Sequence, residues 1–155
     1  MALTVGTKAP DFKLISSDKK DITLSSFAGK NLVIHFFPAA FTGVCTEQMC
    51  SNRDELTYYT NLNAEVIGLS VDMPFTLGVF KEKNNINFPL VSDFNKTTIH
   101  EYDMYQVNFA FGMKGVAKRG VVLIDKDGIV QYSEETANPG VQVNFDALKE
   151  ALSKL

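Results

Sequence analysis

The chain has 155 residues, 45% of them hydrophobic, which suffices for one sizeable core and leads us to expect a single domain over 1–155. A formal net charge of −3 without a block of like charges excludes the electrostatic footprint of a nucleic-acid or anionic-membrane binder. Two cysteines are too few for a disulfide scaffold and point to redox chemistry or a metal.

In chain order, residues 12–15 and 21–24 read as two short strands around the polar stretch 16–20, a candidate hairpin. Residues 31–37 form a continuous apolar run ended by Pro38, the pattern of a central strand covered on both faces. It is interrupted by His35 and is far shorter than the ~20 residues of a membrane-spanning helix. The first dozen residues lack the features of a secretory signal, so the expected compartment is the cytoplasm. From 43 to 63, Met49, Leu56, Tyr59 and Leu62 recur at mostly helical spacing and predict one long helix.

A second strand–helix unit follows: an apolar run at 65–71, then after Pro74 a helix over 75–83 anchored by Leu77, Val79 and Phe80. Residues 87–91 suggest a short strand and 95–102 a short helix. The β-branched run 120–124 joins 129–133 through Asp127-Gly128 as a hairpin. A last helix over 145–155 places Phe145, Leu148, Leu152 and Leu155 on one face. The succession predicts an α/β fold, a mixed central sheet flanked by helices with right-handed crossovers. Ligands in such sheets sit at the carboxyl ends of parallel strands, where 38–45 falls.

The segment 37–46 runs from the buried strand through a turn into a helix, with Cys45 in its first turn. Free amide donors and the positive end of the helix dipole stabilise an anion there, so a cysteine in this place is a usable nucleophile. Thr42 offers a hydroxyl to the thiolate or to an oxygen of a bound oxidant, and Pro38 a rigid wall with no competing N–H. Spacing alone equally allows an inert buried cysteine with Thr42 as helix N-cap. Arg119, one of two arginines, stands where the strand at 120 begins; it suits a place beside the thiolate or, alternatively, a surface ion pair.

Taken together, Pro38, Thr42 and Cys45 match the active-site signature of the peroxiredoxin family, which the chain resembles. Residues 9–12, 88–93 and 119–128 resemble the family's other recurrent segments, in the family's order, so the likeness spans nearly the whole chain. It implies a thioredoxin-like fold with an N-terminal β-hairpin and a thiol-dependent peroxidase acting on hydrogen peroxide and organic hydroperoxides, without cofactor. By this resemblance Cys45 is the peroxidatic cysteine, oxidised to a sulfenic acid. Thr42 and Arg119 orient the peroxide, and Pro38 shields the thiolate.

Cys50 follows Cys45 by five residues, a spacing similar to the bacterioferritin-comigratory, or Q-type, branch, where both redox cysteines lie on one helix. Gln48, Arg53 and Asp54 fit that branch, whereas 38–44 looks closer to one-cysteine members. Five residues of ideal helix separate Cα atoms by roughly 8.6 Å, beyond the ~7 Å limit of a disulfide, so resolution by Cys50 requires the helix to unwind. Otherwise Cys50 is a small apolar residue and an external thiol reduces Cys45. The implied reductant is a thioredoxin, a glutaredoxin-like protein or a small thiol; the chain is expected to be a monomer or homodimer.

Gln48 is a candidate for substrate binding within the site or a solvated helix residue. Arg53 suits an ion pair or support of the pocket. His35 reads as a core histidine, and His100 as a surface-helix residue without a metal-binding neighbour. The aromatic stretch 108–113 fits the substrate mouth, a dimer interface or the core. Two other functions are compatible with these residues. A dithiol-disulfide oxidoreductase is disfavoured by the absence of Cys-x-x-Cys, and a redox sensor would use Cys45 as a switch.

Overall fold

A computed structural model describes residues 3–155. Near the amino terminus, β1 (Lys13–Ser16) and β2 (Asp21–Thr23) pair antiparallel with Leu14 opposite Ile22. The Ser16 hydroxyl holds their turn by accepting from the Asp18 and Lys20 amides.

The central strand β3 (Asn31–Phe36) is buried along its whole length. It lies between β4 (Ala64–Ser70), parallel to it, and β8 (Gly120–Ile124), antiparallel. With β5 (Leu90–Ser92) and β9 (Val130–Glu135) the sheet has seven strands in the order β2-β1-β5-β4-β3-β8-β9. Helices α1 (Gly43–Asp54), α2 (Leu56–Asn61), α3 (Pro74–Lys83), α4 (Thr97–Glu101) and α5 (Phe145–Ser153) complete the main body. This is the expected mixed sheet flanked by helices, including the N-terminal hairpin.

Alternation along β3 divides the core. Val33, with Phe37 just beyond the strand, packs with Cys45, Met49, Tyr59, Phe80 and Leu148, while Leu32, Ile34 and Phe36 pack with Ile99, Tyr102 and Met104 on the opposite side. The period of two therefore turns His35 towards the face that carries α1 and α5, where it meets Gln48 and Phe145. Close approach of α1 requires Gly68 of β4, since a Cβ there would lie 2.7 Å from a Leu90 methyl and 2.8 Å from the Met49 sulfur.

Three expectations are corrected. The helix predicted over 43–63 is broken at Glu55, whose φ of −111° and ψ of 15° end α1 and begin α2. Steps of three residues drift about 60° from a straight helical stripe, and the bend lets Tyr59 enter the core. Val79 and Leu155 are exposed rather than anchoring, because Leu77 and Phe80 already fill the buried side of α3 and α5 ends at Ser153. The stretch 105–117 holds an unforeseen two-stranded sheet of β6 (Tyr105–Asn108) and β7 (Lys114–Ala117). Phe111, at its turn, is 99% exposed with a φ of 59°, which removes core packing as its role.

Candidate active site

The chain leaves β3 through Phe37 and Pro38, both buried, and turns over Ala39–Ala40–Phe41 into α1. Phe41 occupies the left-handed region at φ 69° and sets its ring edge-on to Phe80, 5.2 Å between centroids. A non-glycine residue in this region is strained, so surrounding contacts must hold it. One such contact comes from Asp72, just past β4: its Oδ2 accepts the Ala40 amide at 2.8 Å and the Ser70 hydroxyl at 2.7 Å. The Ser92 hydroxyl donates to the Asp72 carbonyl at 2.6 Å. Three parallel strand ends thus fix the turn.

Thr42 stands at the N-cap of α1, but its side chain makes no capping bond. Its hydroxyl instead donates to the Ala39 carbonyl at 2.9 Å, so that proton is not directed at Cys45 as anticipated. Cys45, in the first turn of α1, is fully buried. The Gln142 amide donates to the Val44 carbonyl at 3.3 Å and ties this turn to the loop before α5.

Arg119 precedes β8 and is only 3% exposed; the surface ion pair is therefore ruled out. Its Nη2 donates to Cys45 Sγ at 3.1 Å, its Nη1 to Gln48 Oε1 at 2.9 Å, and its Nε to the Pro139 carbonyl at 2.8 Å. The rigid guanidinium fork spans three acceptors at once, which a lysine ammonium cannot do from one point. Gln48 is buried behind this fork rather than at the surface, and its Nε2 lies 2.9 Å from His35 Nδ1 and 3.4 Å from the Phe36 carbonyl. Burial drives the His35 pKa down to about 3, so its imidazole is neutral at physiological pH.

Cys50 lies on the same unbroken helix as Cys45 and is half-buried, with its thiol 4.0 Å from Asn84 Oδ1. Arg53 donates to the Asn84 carbonyl at 2.6 Å and pairs with Asp54 at 2.9 Å, away from Cys45. His100 stacks on Tyr105 at 4.0 Å. Among the described residues no group of three His, Cys, Asp or Glu is placed to hold a metal, and no helix is long and apolar enough to cross a membrane. Sequence reasoning missed Asp72 and Pro139. Asp72 was visible as an acid directly after an apolar strand, whereas Pro139 acts through a carbonyl that every residue possesses.

A guanidinium-held thiol at a helix start, on a thioredoxin-like sheet, is the arrangement of a thiol-dependent peroxidase. The AhpC/TSA family model matches residues 5–133. The chain is 34% identical to peroxiredoxin Bcp of Bacillus subtilis, over 99% of this chain and 100% of that protein. Identity is also 34% to alkyl hydroperoxide reductase E of Mycobacterium tuberculosis, over 85% of each chain. Peroxiredoxin Q of Xanthomonas campestris superposes with a TM-score of 0.82 at 26% identity, covering 92% of this chain and 90% of that one. Peroxidoxin BcpB of Mycobacterium tuberculosis shares the fold with a TM-score of 0.87 at 24% identity, covering 99% and 98%. The chain belongs to the AhpC/TSA family of peroxiredoxins.

Proposed function

We propose that Cys45 is the peroxidatic nucleophile, that hydrogen peroxide and organic hydroperoxides are its substrates, and that Cys50 resolves the oxidised form. The observation that carries the reading is the 3.1 Å contact from Arg119 to Cys45 Sγ, between residues 74 positions apart and both buried. The guanidinium holds the attacking sulfur in place through this contact. The sulfur attacks the terminal oxygen of ROOH: an S–O bond forms, the O–O bond breaks, and Cys45 becomes a sulfenic acid. The leaving RO⁻ takes a proton from solvent and departs as ROH.

Arg119 stabilises the charge developing along the breaking O–O bond, as a preorganised donor does. With its own proton committed to Ala39, the Thr42 hydroxyl has lone pairs free to accept the peroxide O–H. Pro38 walls the pocket, and Gln48 supports the guanidinium from behind.

In the resolving step the Cys50 thiol attacks the sulfenic sulfur, a disulfide forms and water leaves. A thioredoxin-type dithiol then restores both thiols by exchange. The first turns of α1 must unwind for this step. The structure favours that opening, because this end has neither a side-chain cap nor an acidic residue in its first turn. Stoichiometric peroxide given to the reduced protein, followed by intact mass, tests the sequence. A species lighter by two hydrogens supports Cys50 as resolver, and a gain of one oxygen indicates a one-cysteine cycle. Peroxide consumption no faster than that of free cysteine, or unchanged in Cys45→Ser, refutes the reading.

A further inference from the structure

Behind Arg119 the polar chain continues into the sheet without reaching solvent: Gln48 and His35 are both fully buried. The direction of every hydrogen bond in it follows from chemistry. A guanidinium only donates, so the Gln48 atom facing Arg119 is the amide oxygen, and the NH₂ group faces the sheet. Its hydrogens have two acceptors, the Phe36 carbonyl and His35 Nδ1. An amide nitrogen cannot accept, so Nδ1 carries the imidazole lone pair and the ring proton is on Nε2. That nitrogen is buried without a hydrogen-bond partner. The ring itself is held by Phe145, 5.8 Å away between centroids.

We infer that His35 is a positioning residue for the peroxidase reaction: through Gln48, its Nδ1 lone pair holds the Arg119 guanidinium in register with Cys45. The inference rests on the function proposed above and adds to it a residue that touches neither the thiol nor the peroxide pocket. A histidine kept only for packing would not need a bare Nδ1 aimed at the one amide that orients Arg119. Nor is an unpartnered Nε2–H expected of a ring chosen for the core, where buried donors are normally satisfied. With the lone pair removed, one Gln48 hydrogen loses its acceptor. The amide is then free to rotate its NH₂ towards the guanidinium, donor against donor, and Arg119 loses its second support.

Two substitutions at His35 separate positioning from packing. His35→Phe keeps the ring volume but has no acceptor, so it is expected to retain or raise the melting temperature while slowing peroxide reduction by about tenfold or more, the cost of one orphaned buried donor. His35→Asn loses the ring but places an amide oxygen near the Nδ1 position; it is expected to melt lower yet react with peroxide close to the wild-type rate. Rates that follow stability across the two variants, or a His35→Phe variant as fast as wild type, overturn the inference. Nitrogen NMR of the wild-type imidazole near neutral pH supplies a test without any variant: a bare Nδ1 with a protonated Nε2 is expected, and the opposite tautomer overturns it. If the wild type itself reacts no faster than free cysteine, the peroxidase reading fails. A fast wild type with an unaffected His35→Phe sinks the positioning role alone.

Discussion

Replacing Arg119 by methionine keeps an unbranched stem as far as the Nε position and removes every donor of the fork. Cys45 Sγ loses its 3.1 Å partner, and Gln48 Oε1 and the Pro139 carbonyl lose theirs at 2.9 and 2.8 Å. Loss of one preorganised donor aimed at developing charge costs about 10²–10³ in rate, or about 2.7–4 kcal/mol. Each acceptor left buried without a partner adds about 1–3 kcal/mol against the fold. Arg119→Met is therefore expected to slow the first turnover with hydrogen peroxide by at least two orders of magnitude while also lowering stability. Arg119→Lys preserves the charge but not the three-way span, and should fall between methionine and wild type. Stopped-flow mixing of reduced protein with excess peroxide measures the step. Alkylation by a neutral reagent, which needs the thiolate but no peroxide-orienting donor, provides the comparison. A folded Arg119→Met variant that reduces peroxide as fast as wild type would refute the assignment of the guanidinium to the breaking O–O bond.

Asp72→Ala should leave the Ala40 amide and the Ser70 hydroxyl without their shared acceptor, loosening the turn that carries Thr42. A stability loss of about 1–3 kcal/mol in urea titration, with slower peroxide reduction at unchanged secondary structure, is the expected result. The His35 pKa, lowered from 6.5 to about 3 by burial, also sets a pH dependence. Between those values the unfolded chain binds a proton that the folded chain does not, so stability is complete above pH 6.5 and falls by up to about 1.4 kcal/mol per unit as pH decreases through that window. Denaturant unfolding of wild type and His35→Asn, compared across the same pH range, should differ by that slope. Oxidation with one equivalent of peroxide should reduce far-UV helical signal and expose the amides of residues 43–50 to hydrogen exchange, and a thioredoxin-type reductant should reverse both changes. Unaltered exchange in a disulfide-bonded protein would contradict local unwinding of α1.

Much of this site was legible before the chain was folded, because the decisive signals are local. The apolar run of β3, the proline that ends it and the cysteine in the following turn together place a candidate nucleophile at a helix start. Backbone geometry and the dipole of that helix act over a few residues, so no distant contact is needed to infer them. The break at Glu55 was hidden because it serves packing: Tyr59 reaches the core only once the helix bends. The sheet of β6 and β7 gave little warning, since its strands are short, β6 has no buried residue, and the buried positions of β7 are Gly115 and Ala117, too small to read as an apolar alternation.

What the sequence determined by itself is the candidate chemistry, a cysteine at a helix start with no Cys-x-x-Cys pair, and the layered α/β class that presents it. What only the tertiary structure decided is the company the thiol keeps. Arg119 reaches Cys45 because β8 pairs antiparallel with β3, with Gly120 opposite Phe36, bringing the residue before one strand to the end of the other. The direction of His35 follows from the pleat, but its engagement with Gln48 depends on how closely α1 settles on the sheet. Hydrogen bonds of this kind require placement within a few tenths of an ångström, and that accuracy comes from the packed core as a whole.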